Sequence, residues 1–255
     1  MAAGLEILNS YFDKIYVVTL TRSPERQEKV RGYFKNVQFE FFFGIDKLNL
    51  DMAELVQTEV YDPAMARKKH RNGKEMFLGQ VACSLSHREL YKEILAKGYQ
   101  KVLIMEDDFV PANTNMKVIA DITKELPADW ELVYFGYYHN ENISMKKRLN
   151  QWYYLALGFF RLIKWTPAQV KNLYPKPFST HLQKAGFHNT THAYAITAHA
   201  IPKLIESQTP VVFCADTLLT ELVLSNQLKA FITKPKIFDQ EIFMEGGSKI
   251  SYISD

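Results

Sequence analysis

The residues best suited to chemistry stand together at Glu106, Asp107 and Asp108, where the apolar run Lys101 to Met105 ends abruptly in three acids. Adjacent carboxylates repel and raise one another's pKa, so the cluster costs folding free energy unless a cation neutralises it. Hard carboxylate oxygens suit Mg²⁺ or Mn²⁺, and a common use of such an ion is to hold the phosphates of a nucleotide. Alternation along an extended segment puts Glu106 and Asp108 on one side as a metal-binding pair and Asp107 on the other, facing a ribose or a supporting donor. A turn at this point would reverse that assignment. Without a ligand, the same acids are solvated charges or the cap of the next helix.

Such a cluster needs a sheet to present it. Lys14 to Leu20 is β-branched and apolar, as in a buried parallel strand. Ser23-Pro24-Glu25 opens a helix with cap, proline and acid in favoured places, running to about Lys35. Val37 to Phe43 is a second strand, closed by Gly44. The polar stretch from Leu48 to Phe77, crowded with Arg67, Lys68, Lys69, His70, Arg71 and Lys74, reads as a long loop or mobile flap. Gly79 to Leu95 has helical apolar spacing, Lys101 to Met105 is a strand, Asn113 to Leu126 a helix, and Glu131 to Phe135 a strand. This alternation predicts a mostly parallel sheet with helices on both faces, and ligands at the strand C-termini.

From Asn140 onward the pattern loosens. Lys146, Lys147 and Arg148 precede the aromatic run Trp152 to Phe160, which reads either as a core strand beside a solvated charge run or as a basic, aromatic rim meeting an acidic glycolipid or membrane face. His192 to Thr197 is strand-like, Ala198 to Ser207 and Asp216 to Asn226 are helical, and Ala230 to Thr233 is a last short strand. Without an internal repeat or low-complexity linker, 1–255 is expected to be one domain. Its nucleotide half would be 14–136, and a less regular acceptor-side half 137–255.

The 255 residues, 47% hydrophobic and 13% aromatic, suffice for one α/β domain with a large core. A formal charge of +3 is too small to argue for nucleic acid, though it suits an anionic substrate or a membrane face. Only Cys83 and Cys214 are present, which excludes a disulfide scaffold and fits a reducing compartment. The N-terminus has no basic leader with a long apolar region, and no later run has spanning length, so a cytoplasmic protein, soluble or peripheral at a membrane, is expected. Nothing in the residues sets the oligomeric state.

Five segments, in order, resemble glycosyltransferase family 25, which contains bacterial lipooligosaccharide and collagen galactosyltransferases. They are Thr19-Leu20 with Arg22 and Arg26, where Thr19 stands in place of the usual Asn; Gly44-Ile45-Asp46; Gly79-Gln80-Val81-Ala82-Cys83-Ser84-Leu85-Ser86-His87, with Ala82 in place of a second glycine; Leu103 to Asp108 followed by Leu126 to Glu131; and His192 to Thr197 leading to Asp216. The likeness spans roughly 14 to 222. It implies a GT-A fold, meaning a Rossmann-like nucleotide-sugar domain with an acidic metal motif, and transfer of a sugar, commonly galactose, from a UDP donor with inversion.

Such transfer needs an anchored nucleoside, neutralisation of the departing diphosphate and a base for the acceptor hydroxyl. Thr19, Leu20 and Arg22, with Arg26 beyond them, are expected to hold the uridine and a phosphate; the competing reading for Arg22 and Arg26 is a salt bridge on the helix surface. Asp46 is a partner for the base or ribose, or a turn aspartate. Gly79 would allow close approach of the donor, and Ser86 or His87 would face sugar or phosphates, although a helical His is more often structural. Asp108, assisted by Glu106 or Asp107, would hold the Mn²⁺ or Mg²⁺. Asp216 is the first candidate base, with an ordinary N-cap as its competing reading, and Glu221 the second. His192 and Asp239 are candidates for a later metal ligand. The acceptor would be a glycan or glycolipid such as lipopolysaccharide. A nucleotidyltransferase shares the metal-site logic but wants a glycine- and lysine-rich phosphate loop, and Thr19 to Arg26 has no glycine. A catalytically silent sugar-binding protein of the same fold is the other alternative.

Overall fold

In the computed structural model, which describes residues 4–112, 115–138, 140 and 143–244, the chain first forms a short helix, α1 (Leu8–Tyr11), and then strand β1 (Lys14–Thr19). Helix α2 (Pro24–Tyr33), with proline in its first turn, returns the chain to β2 (Glu40–Phe43), parallel to β1. This is the expected βαβ unit. The expected long loop is instead folded: it contains α3 (Met52–Gln57) and α4 (Pro63–Lys69). Each helix is started by an aspartate, Asp51 accepting from the Glu54 N–H and Asp62 from the Met65 N–H. Leu55, Tyr61, Ala66 and Met76 pack there against Val81 and Leu85, so the segment has a small core of its own.

Helix α5 (Leu78–Lys97) ends at Gly98, whose φ of 73° is the left-handed conformation that favours glycine. Then come β3 (Lys101–Glu106), β4 (Phe109–Pro111), α6 (Val118–Glu125) and β5 (Leu132–Tyr134). The start of the helix expected from Asn113 lies outside the described residues. The aromatic run is α7 (Met145–Phe159) and not a strand. Ser144 caps it by accepting from the Lys147 N–H, and Tyr154 and Leu155 on its inner side pack beside Val170, Leu173 and Leu224. The chain continues through α8 (Pro167–Lys171), β6 (Lys176–Pro177), β7 (Leu182–Lys184), β8 (Ala193–Thr197), α9 (Ile201–Ser207), α10 (Ala215–Leu224), β9 (Ala230–Thr233) and β10 (Phe238–Gln240). The end of the expected acceptor-side half, 245–255, is outside the described residues.

The main sheet has the order β2-β1-β3-β8-β5-β9-β7-β6. Strands β1, β2, β3, β5, β9 and β6 point one way, and β8 and β7 the other. The sheet is mostly parallel, as expected, but antiparallel β8 sits at its centre between β3 and β5. Helices cover both faces. In β3, Leu103 and Met105 enter the core layer shared with α1, α2 and α6, while Val102 and Ile104 enter the layer shared with α5, α9 and α10. Burial on both faces explains why these strands read as continuous apolar runs.

Candidate active site

The C-terminal ends of β1 and β3 open into a cavity whose far wall is the first half of α5. Gly79, Ala82, Cys83 and Ser86 line that wall at i, i+3, i+4 and i+7, a run of small side chains joined by His87 at its far end. The Phe77 N–H donates to Gln80 Oε1 at 2.9 Å and fixes the helix start. Ser86 has a structural task here. Its hydroxyl donates to the Ala82 carbonyl and accepts from the Ile45 N–H, each at 2.8 Å, which ties the loop after β2 to α5. A Cβ on Gly44 would lie 2.8 Å from Ser86 Oγ, so this glycine lets the loop come that close.

From the β1 side, Thr19, Leu20, Arg22 and Arg26 reach the same cavity, and Asp46 closes it beside Lys47. Arg22 pairs with Asp46 through two hydrogen bonds, and Asp46 also accepts from the Leu48 N–H. The Arg22 bond and then the Leu48 bond outweigh desolvation and hold the Asp46 carboxyl below its ordinary range. Asp46 is therefore a turn aspartate and a cavity residue at once.

All three acids line the cavity, but a turn after Glu106 breaks the strand alternation, and each meets a different partner. Asp107 accepts from the Thr19 hydroxyl at 2.6 Å and from Arg26 at 2.9 Å. Its pKa is raised by burial, against the pull of Thr19 and Arg26. Arg26 is thus engaged with the acidic cluster and not with a neighbour on the outer helix surface. Breaking a buried pair strands a charge at a cost of about 3 kcal/mol or more. Arg26→Ala should therefore lower stability by about that amount in urea titrations at neutral pH, and Arg26→Ala with Asp107→Asn should recover much of it.

Glu106 accepts from the Thr191 hydroxyl at 2.5 Å and lies 3.5 Å from His87 Nε2. Burial works to raise its pKa, but His87, Thr191 and His192 together outweigh burial and lower it. His87 is fully buried, and its Nδ1 is 2.7 Å from the Tyr194 hydroxyl, which in turn is 2.8 Å from that of Tyr91. Cys83, His87 and Glu106 bring one ligand atom each within 4.8 Å of one another, a donor set that would take a borderline ion such as zinc.

Asp108 is the least satisfied of the three. One oxygen accepts from Gln240 at 2.9 Å, while the other, Oδ1, is buried without a hydrogen bond. Burial first, then the neighbouring Glu106 charge, push its pKa up to about 7. A buried carboxylate oxygen with no partner, next to a second carboxylate, fits a divalent cation: charge neutralisation would remove both penalties.

A second cavity adjoins the first and shares Cys83, Glu106 and Gln240 with it. Asp216, in the first turn of α10, lines it with Thr190 and Thr191. Burial raises the Asp216 pKa, against hydrogen bonds from the Thr217 N–H and hydroxyl. Glu221 lines neither cavity; it accepts from Gln169 at 3.0 Å and lies 3.6 Å from Arg71. His192 and Asp239 line neither cavity as well. His192 is packed with Nε2 3.3 Å from the Phe238 carbonyl, burial driving its pKa down to about 4, and Asp239 pairs with Lys236.

Gln240, Thr191 and Tyr194 were not singled out in the sequence. Gln240 reaches Asp108 across 132 positions, and no local pattern announces such a contact. Thr191 had only its nearness to the strand-like run as a signal, and Tyr194 lay inside that run with nothing to mark its hydroxyl.

The sequence model of glycosyltransferase family 25 (LPS biosynthesis protein) matches residues 12–219. A glycosyltransferase 25 family member of Anopheles gambiae is 28% identical over 206 residues, covering 76% of this chain and 28% of that protein. Mouse procollagen galactosyltransferase 2 is 25% identical over 131 residues, covering 49% and 21%. The human protein named inactive glycosyltransferase 25 family member 3 is 26% identical over 132 residues, covering 49% and 22%. The matched region spans under a third of these relatives' own length. With its match running from before β1 into α10, over most of the chain and through all the cavity-lining segments except the one that carries Gln240 and Ile242, the chain belongs to glycosyltransferase family 25.

Proposed function

We propose that this protein moves a hexose, galactose in the first instance, from a UDP-sugar to a hydroxyl of a glycan or glycolipid acceptor such as lipopolysaccharide, with Mn²⁺ or Mg²⁺ as cofactor. The observation that carries the reading is Asp108: a half-satisfied carboxylate, its Oδ1 buried without a partner, lining one cavity that shares Cys83, Glu106 and Gln240 with a second cavity that holds Asp216.

Thr19, Leu20, Arg22 and Asp46 surround the space for the nucleoside, and Arg26 lends positive charge near the diphosphate. Gly79 leaves room along α5, while Ser86 fixes the Gly44 loop and His87 holds Glu106. Asp108 and Glu106 would hold the cation, with Asp107 steadied by Thr19 and Arg26 beside them. When bound, that ion would offset charge on the departing diphosphate. Asp216 takes the proton of the acceptor hydroxyl as the new bond to the anomeric carbon forms and the bond to the diphosphate oxygen breaks. Its raised pKa brings its basicity closer to a working pH. Attack from the Asp216 cavity on a donor held in the other supports inversion. Mouse procollagen galactosyltransferase 2 supports galactose, and the family description supports a lipopolysaccharide acceptor. Two free thiols support a reducing, cytoplasmic setting.

UDP release from a panel of UDP-sugars, with and without Mn²⁺, tests the proposal. Metal-dependent release from one sugar above the others is the expected result. Binding of UDP with no release from any UDP-sugar, with or without glycan acceptors, would mark a silent family member, the condition named for the human relative.

A further inference from the structure

Among the described residues, nothing covers the outer face of α7. Met145, Leu149, Trp152 and Phe159 recur along it at three- or four-residue steps or their sum, and they are 73%, 65%, 73% and 75% exposed. Phe160 and Leu162, each 69% exposed, extend the stripe past the helix end. The inner face of the same helix is already packed, on Val170, Leu173 and Leu224. A surface helix normally turns polar residues outward, so an apolar outer stripe of this size marks a surface that meets something else.

Charge decides what that is. Residues 142–205 contain nine Lys and Arg and no Asp or Glu; of the chain's 31 basic and 28 acidic residues, the rest therefore holds 22 against 28 and is net negative. Exposed Lys146 and Arg148 flank the stripe at one end and Arg161 at the other. Two copies meeting through this face would bring like charges together, whereas a bilayer with anionic headgroups supplies both an apolar phase and opposite charge.

We propose that the outer face of α7 docks this protein on an anionic lipid bilayer, with Trp152, Phe159 and Phe160 entering the headgroup–acyl boundary and Lys146, Arg148 and Arg161 at the headgroups. The surface is tied to the neighbourhood of the second cavity. Lys164 donates to the carbonyls of Arg67 and His70 at 2.9 and 2.5 Å, and the His70 ring stacks on Phe213, three residues before Asp216. Docking stands independently of the transfer reaction.

The test is flotation of the full chain with vesicles of phosphatidylcholine alone or mixed with phosphatidylglycerol, together with tryptophan emission. The expected result is binding only to the mixed vesicles, weakened by salt, with a blue shift that Trp152→Phe abolishes; of the other two tryptophans, Trp130 is 3% exposed and Trp165 is packed against Tyr154 and Phe187. Trp152→Glu with Phe159→Glu should reduce binding at least tenfold without moving the melting temperature. Should that variant fold poorly, Lys146→Glu with Arg148→Glu must give the same loss. No binding to anionic vesicles, or binding that neither variant weakens, overturns the proposal. So does concentration-dependent self-association that the first variant abolishes in the absence of vesicle binding, since the face would then belong to a second copy.

Discussion

Asp108→Asn should make the metal-free protein more stable above neutral pH while removing any stabilisation by UDP with Mn²⁺. Both effects have one cause. The folded pKa of Asp108 is raised to about 7 from an ordinary 3.8, by burial first and by Glu106 second. An acid with a raised folded pKa adds no penalty below about pH 4, where it is protonated folded and unfolded. Stability is lost as pH rises between the two pKa values, and the full penalty, on the order of 4 kcal/mol, stands above the upper one. An amide carries no charge to bury, so the variant should lose this slope. Urea titrations at pH 5 and pH 8 without metal measure it: the wild type should be markedly weaker at pH 8, and the variant should narrow the difference. A stabilising substitution that destroys ligand response is the signature expected of a site built for a cation and not for the fold. A variant less stable than wild type at pH 8 would mean that the Gln240 contact outweighs the charge, and would remove the main reason for siting the ion there.

Asp216→Asn should leave donor binding intact and slow transfer by about 10²- to 10⁴-fold, the usual worth of a positioned base. The contrast is with Glu221→Gln. Glu221 is engaged by Gln169 and Arg71 outside both cavities, so its loss should change stability modestly and the rate by less than about tenfold. In the wild type, kcat/KM should fall as pH drops through the Asp216 pKa, and that limb should lie above the ordinary aspartate range because burial raises it. Asp216→Asn should flatten the limb. Equal losses for the two variants would take the base away from Asp216.

How much of this could be read from the residues depended on whether the cause was local. β3 was legible because burial on both faces demands an unbroken apolar run, and the small-residue spacing of α5 survives in the sequence as Gly79, Ala82, Cys83 and Ser86. The gathering of Thr19, Arg22, Asp46 and the acids followed from one rule, that ligands belong at strand C-termini. What failed was non-local or facial. Antiparallel β8 looks like any buried strand, since side-chain pattern does not encode direction. The segment 48–77 looked like a flap because its small core needs Val81, Leu85 and Val211 from elsewhere. In α7 the helical spacing was present, but an apolar stripe does not say whether it faces inward or outward. The alternation argument for Glu106 and Asp108 lost its footing at a turn that no residue in the motif requires.

The most direct test of the central claim is the melting temperature of the wild-type chain with UDP, with Mn²⁺, and with both. Ligand at about 100-fold over Kd adds about 2.7 kcal/mol, so both together should raise the melting temperature by roughly 5–10 °C, with little effect from either alone and none in Asp108→Asn. An unchanged melting temperature with UDP and Mn²⁺ at saturating levels would contradict a metal-assisted nucleotide-sugar site in this cavity.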